Sequence, residues 1–472
     1  MNTTIRALNG FGLGARPGER QRLGDDARGW LRAQLRGDAP TLPAPVEGSW
    51  NAIADAVRAF RSVAQVGDPQ QRQARQQARR ALVGIAAAEG RATLLQRVTT
   101  DRPFVERLVA FWSNHLCVSV GAKILVAPIA GSYEREAIRP HVLGRFEDML
   151  LASAKHPAML VYLDNFQSIG PGSRGARTAR NRGPQRGLNE NYARELLELH
   201  TLGVEGGYTQ HDVQELAKIL TGWTVAGLGR AAQQPRPQRG RRSMAAQPDP
   251  EGRIGFAFHP LLHEPGSKTV LGAGYAEAGV EEGEQVIRAL VRHPSTARFL
   301  ATKLVTHFVS DTPPASSIDR IARVFRESDG DLRAVSAALV DLPEAWSEGA
   351  RKFRTPQDWL VAVLRAFGAE EVSEATMPAL RQLRHPLWSP QAPKGFGDKT
   401  QEWADPDSLL NRAELARTIA RRLRSHRIDP RSLLDVVDVG AGDPLQKLIA
   451  DNTIAADERI ALVLAGPAFQ WR

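Results

Sequence analysis

The chain is short of cysteine, of aromatic residues and of long apolar runs, and each scarcity closes off a class of protein. One cysteine, Cys117, in 472 residues leaves no intramolecular disulfide possible, which fits a reducing compartment. No run of about 18 apolar residues occurs, so no transmembrane helix is expected. The opening MNTTIRALNGFGLGARPGER lacks the apolar h-region of a signal peptide. A cytoplasmic location is therefore expected, with export by another route left open. Aromatic content is low at 6%, yet the 42% of hydrophobic residues supports a real core. No self-similarity at a period of about 30–45 residues is present, which argues against a solenoid.

Acidic residues are absent from one stretch and scarce in another. Ser168–Gly187 holds five arginines and no acid, and Ala226–Arg253 holds six arginines against Asp249 and Glu251. These two account for nearly all of the net charge of +10. The basicity therefore belongs to two loops and not to a groove spread over the fold. No aromatics interleave with the arginines, so base stacking on nucleic acid is not indicated. Binding of phosphate or an anionic polymer stands beside the plainer expectation of mobile, solvated insertions at 168–187 and 226–253.

What is present is helical periodicity. The expected fold is mainly α, a large multi-helical bundle-like body with one small β-hairpin element, forming a single domain over residues 1–472. Helices are predicted at Asp25–Leu35, Trp50–Val66, Gln70–Gly90 and Val142–Ser153, and again between Glu281 and Leu342. Over Thr100–Ser119, Asp101 can cap and Pro103 suits the first turn, while Phe104, Leu108, Phe111, His115 and Leu116 share one face. His307 sits on the stripe of Leu300, Leu304 and Phe308. Two short alternating runs, Gly255–Phe258 and Lys268–Leu271, can pair as the hairpin. The glycine-rich Asn9–Pro17 reads as a structural turn, because no strand precedes it and no Lys–Ser/Thr pair follows.

The richest segment in reactive groups is Leu188–Trp223, LNENYARELLELHTLGVEGGYTQHDVQELAKILTGW. On a wheel of roughly 100° per residue, Tyr192, Ala193, Leu196, Leu197 and Leu199 fall on one side. Glu190, Asn191, Arg194, Glu195 and Glu198 fall on the other. Asn189 and His200 interrupt the apolar side, so each needs a partner in the core or lines a polar cavity. Gly203 suits a left-handed C-terminal cap, and Thr209 with Asp212 reads as a capping box.

This segment resembles the signature of the bacterial domain-of-unknown-function 1800 family. FWSNHLCVS, YEREAIRPHVLGRFEDMLL, HPAMLVYLDNFQS, HEPGSKTVLG, KLVTHFVSDTPP and PLWSPQAPKGF followed by a Trp agree with it in kind and in order. The resemblance covers the chain from Leu8 to the last helices. It implies a mainly helical fold and carries no established activity. Relatives' genes often neighbour those of a second family resembling sulfatases and alkaline phosphatases, which makes such a protein a candidate partner.

The candidate site comprises His115, Asn189, Glu190, Arg194, Glu195, His200, His263 and Lys268. Three readings stay open. His115, His200 and Glu195 could hold a divalent metal, although Glu195 and His200 are about 140° apart on a straight helix. Without a metal, His115 or His200 could serve as a base beside Glu195 or Glu190, with Lys268 and Arg194 stabilising an anion. Alternatively both histidines tie helices together, and Glu190–Arg194 is a surface pair. The expected function is an enzyme using His and carboxylate acid–base chemistry, possible metal assistance included, for hydrolysis or group transfer on a polar substrate. The alternative is a non-catalytic binding or scaffold protein that works with the phosphatase- or sulfatase-like partner. The Trp388–Trp403 segment is read as loop anchors in preference to a sugar-stacking platform.

Overall fold

The computed structural model describes residues 2–63, 69–179, 187–227, 254–348, 350–423, 428–439 and 442–472. Helix dominates, with two small antiparallel sheets of two strands each. The elements that build the site are α1 (Pro69–Thr99), α2 (Pro103–His115), α3 (Asn191–Glu195) with its π-helical continuation Leu196–Thr201, and α4 (Gln210–Ile219). The strands β1 (Trp223–Ala226), β2 (Gly255–Phe258), β3 (Lys268–Val270) and β4 (Ala273–Tyr275) follow. After them come α5 (Val280–Arg292), α6 (Pro294–Phe308), α7 (Pro356–Ala366), α8 (Pro406–Leu423) and α9 (Ala456–Ala465). One connected cluster of buried apolar side chains runs from Ala7 to Phe469. Among the described residues, no helix is long and apolar enough to cross a membrane.

Local chemistry explains most helix starts. Thr209 and Asp212 form the reciprocal capping box on α4. Thr355 Oγ1 accepts from Asp358 N, with Pro356 at the first helical position of α7. Asp101 does not cap α2: Arg102 takes that position without a side-chain bond, and Thr100 Oγ1 accepts its N–H. Gly203 adopts φ +82° just past the π turn, and a Cβ there would run into the Phe299 ring. The glycine-rich stretch near the N-terminus begins in a buried π-helical turn, Ala7–Phe11, preceded by the helix Thr3–Arg6 and not by a strand.

Both predicted short runs are strands, but they do not pair with each other. Gly255–Phe258 pairs with Trp223–Ala226, and Lys268–Val270 pairs with Ala273–Tyr275. Leu271 and Gly272, both at positive φ, make a two-residue turn whose twist suits a hairpin, so β3 closes on its nearest neighbour at little entropic cost. Part of the first Arg-rich stretch forms the short helix Arg174–Ala179. Residues 180–186 and 228–253, on which the mobile-loop and anion-binding expectations rest, lie outside the described residues.

Arginines also work inside the fold. Arg6 donates to Ala345 O and Phe308 O at 2.8 and 2.7 Å. Arg107 donates to Gly12 O at 2.6 Å. Arg365 donates to Gly14 O and Val98 O at 2.7 and 2.9 Å. These guanidinium groups satisfy carbonyls left unpaired at the ends of helices and turns.

Candidate functional site

The C-terminal end of α2 enters the interior, as its apolar stripe requires, and carries His115 with it. His115 is 1% exposed. Its Nε2 lies 3.2 Å from the carbonyl of His200, and its Nδ1 lies 3.0 Å from Lys303 Nζ on α6. The carbonyl can only accept, so Nε2 carries the proton and Nδ1 accepts from the ammonium. The π turn Leu196–Thr201 brings the His200 carbonyl to this point.

Lys303 and His307 stand one turn apart on α6, and both face a cavity of about 360 Å³. Its other walls are α2, the first turn of α7, and the irregular segment that follows His385. His307 Nδ1 lies 3.0 Å from Asp398 Oδ2, and its Nε2 is buried with no hydrogen-bond partner among the described residues. Asp358 on α7 pairs with Arg107 at 3.0 Å and with Arg472 at 3.4 Å. His385 stacks on Trp403, centroids 4.6 Å apart, and meets the edge of Phe396. The tryptophans of this segment thus anchor a wall: Trp403 Nε1 donates to Gly397 O, and Trp388 Nε1 donates to Glu134 Oε2.

Burial governs ionisation here. It pushes His115 and His307 below their ordinary range, and His200 and His385 down to about 3. Burial also lowers Lys303 to about 8 and raises the Cys117 thiol to about 12. Asp398 is pushed up by burial, but His307 and Lys352 more than offset this and hold it low. Arg107 and Arg472 do the same for Asp358.

One carboxylate underlies three wall residues. Glu134 Oε2 accepts from Arg97 Nη2 at 3.1 Å, Ser113 Oγ at 2.9 Å and Trp388 Nε1 at 2.9 Å. Glu134 belongs to YEREAIRPH, and its three donors all line the cavity. The loop 388–400 is fastened by Asn114, which donates to Phe396 O and accepts from Phe396 N.

The remaining sequence candidates lie apart from this cavity, and none of them lines it. The His200 ring is 1% exposed with Nδ1 unpartnered among the described residues. Glu195 is half-buried, and burial followed by the nearby Glu198 raises its carboxyl. Glu190 and Arg194 form a surface lattice with Glu198 and Gln210 that joins α3 to α4. Asn189 Oδ1 accepts from Asn191 N, so its role is to start the helix. His263 faces Thr221 O at 2.9 Å and Glu282 Oε2 at 3.1 Å. Lys268 Nζ bonds Glu264 O at 2.6 Å and sits 3.2 Å from Glu282 Oε1. The two ends of the HEPGSK turn, His263 and Lys268, are therefore buried around Glu282 of α5 while its middle, Pro265–Ser267, is exposed, and the turn does not converge on His115.

His115, His200 and Glu195 do not form a metal ligand set. His115 meets the backbone of His200 and not its ring, and the Lys303 ammonium occupies its second nitrogen and would repel a cation. Among the described residues, no group of three or more His, Cys, Asp or Glu is arranged to hold a metal ion. Lys303, Asp358, His385 and Asp398 were not singled out from the sequence. The signal for Lys303 and His307 was their four-residue spacing in KLVTHF, both on the inward side. For Asp398 it was a lone acid after the glycine-bent GFG.

The fold and cavity define a mainly helical protein whose interior pocket carries paired ionisable groups. Residues 6–471 match the family described as protein of unknown function (DUF1800), and the chain belongs to that family. FWSNHLCVS, KLVTHFVSDTPP and PLWSPQAPKGF, three segments that carried the resemblance, all contribute cavity walls. No curated protein and no solved structure matches the chain.

Proposed function

We propose that the protein is an enzyme that uses His307 and Asp398 as its acid–base pair, with the Lys303–His115 pair supplying positive charge, for hydrolysis or group transfer on a small polar substrate. The observation that carries this reading is His307, bound through Nδ1 to a carboxylate while Nε2, beside a cavity, has no partner among the described residues. The carboxylate fixes the tautomer and leaves the Nε2 lone pair free to take a proton. Burial keeps the ring neutral near pH 7. Lys303 stands on the same face of α6, placed to stabilise negative charge that develops on the substrate.

A panel of chromogenic phosphate, sulfate and carboxyl esters tests the proposal. At least one class is expected to turn over. His307→Gln and the shape-preserving Asp398→Asn should each reduce kcat/KM by about 100-fold or more. His263→Gln, in the separate cluster, should retain activity within a fewfold. Turnover indifferent to both cavity variants would assign the chemistry elsewhere. No turnover of any class would favour the non-catalytic reading, a binding protein that acts beside a phosphatase- or sulfatase-like partner.

A further inference from the structure

We infer that the cavity seats a small anion, a carboxylate or a phosphate, on the Lys303 ammonium, so that the substrate of the enzyme proposed above carries such a group. The inference rests on that reading for the word substrate, and on geometry for the anion. Lys303 is half-buried and opens on the cavity, and no carboxylate oxygen among the described residues comes within ion-pairing distance of it. Its contacts are His115 Nδ1 at 3.0 Å and the Phe299 ring, 5.6 Å from Nζ. Asp398 acts on this ammonium only at longer range and is itself bonded to His307. A partly buried ammonium with no carboxylate in contact is costly, and a bound anion would offset that cost.

The acids that share the cavity are already engaged. Asp358 is held by Arg107 and Arg472, Asp398 by His307, and Glu402 accepts from the backbone of Lys399. Lys394 and Lys399 line the exposed side of the same space, and neither has a carboxylate partner among the described residues. Neither a neutral imidazole nor a backbone N–H cancels a charge, but Lys303, Lys394 and Lys399 outnumber Asp398 and Glu402, and Arg107 with Arg472 outnumber Asp358. The balance of the cavity is therefore positive, with Lys303 the least exposed of its lysines. A carboxylate or phosphate can accept from the ammonium protons not used by His115.

A thermodynamic signature follows. The groups around Lys303 are His115, His200, Cys117 and Asp398. Between pH 7 and 10 the two histidines stay neutral, Asp398 stays charged and the thiol, raised to about 12, stays protonated. Lys303, at about 8 when the cavity is empty, is then the group whose proton occupancy an anion changes. Binding should draw a proton onto it.

The test is calorimetric titration of the full chain with inorganic phosphate and, separately, with acetate, at pH 8.5 in two buffers of different ionisation heat. The expected result is saturable binding of at least one anion with proton uptake. Lys303→Met should weaken that binding by about 10–100-fold, and Lys399→Gln by much less. The variant's near-ultraviolet circular dichroism should match the parent's, because methionine follows the same aliphatic course. Absence of saturable binding by both anions, or equal affinity in Lys303→Met, overturns the inference. Which anion binds more tightly identifies the group. The two readings fail separately. Lys303-dependent anion binding without turnover of any ester sinks the enzyme and leaves the anion site. His307-dependent turnover that neither anion inhibits sinks the anion site alone.

Discussion

At the scale of single residues, burial decides charge. His200 and His385 sit at about 3 in the folded chain, against an ordinary value near 6.5. The unfolded chain therefore binds extra protons between these limits, and stability is lost as pH falls from about 6.5 toward 3. Each ring contributes up to about 1.4 kcal/mol per pH unit within that window. Urea denaturation at pH 7 and pH 5 should show the loss, and His385→Phe, which preserves the stack on Trp403, should reduce it by about 2 kcal/mol. Equal pH dependence in the variant would contradict this account. The same rule gives Lys303 a rising contribution. Its folded value near 8 lies below its ordinary 10.5, so stability should climb as pH rises between the two, and Lys303→Met should lack that slope. His115 was legible in the sequence because helical spacing put it on the inward stripe. Lys303 was not, because a lysine on a helix usually runs its stem along apolar surface and returns its charge to water. Asp398 was not, because its partner lies 91 residues away and nothing local announces the pairing.

At the scale of elements, the cavity depends on two fastenings. The first is Glu134, whose one oxygen orients Arg97, Ser113 and Trp388. Glu134→Gln should cost about 3 kcal/mol or more in urea denaturation, since it leaves the buried Arg97 without its charge partner. A loss below about 0.5 kcal/mol would mean that the wall holds itself. The second is Gly395, at φ +80°, where a Cβ would come within 2.4 Å of Asn114 O. Gly395→Ala should undock the loop 388–400, seen as faster proteolysis there with most of the helical signal retained. The wall also holds Trp388 at φ +50° and is preceded by Arg384 at φ +60°. Non-glycine residues persist in that region only when their surroundings enforce it, and such positions cluster at functional sites. The helices and their caps were readable because capping and periodicity are local. The strand pairing was misread because partner choice depended on a turn, Leu271–Gly272, whose conformation composition does not advertise. The loop wall was readable as tryptophan anchors, but which surfaces they anchored to was a tertiary matter.

At the scale of the whole molecule, arginine is a structural material as well as a charge. Arg365 donates to Gly14 O, Arg97 O, Val98 O and Thr100 O and pairs with Glu19, so it joins the N-terminal turns, α1 and α7. Arg365→Met should lower stability by about 3–5 kcal/mol in urea denaturation, far more than a surface charge would. The net-charge tally did not reveal this, because these interior cations are matched by acids elsewhere in the chain. The network also spans nearly the full length of the sequence. Arg472 donates to Gly10 O and His307 O and reaches Asp358 at 3.4 Å. A ribosome delivers these residues in order, at roughly 5–20 per second. The turns near Gly10 therefore emerge on the order of half a minute or more before the guanidinium that completes their bonds. Throughout that interval the growing chain can form its helices, but the carbonyls of Gly10 and His307 and the Asp358 carboxylate wait for the last guanidinium that binds them.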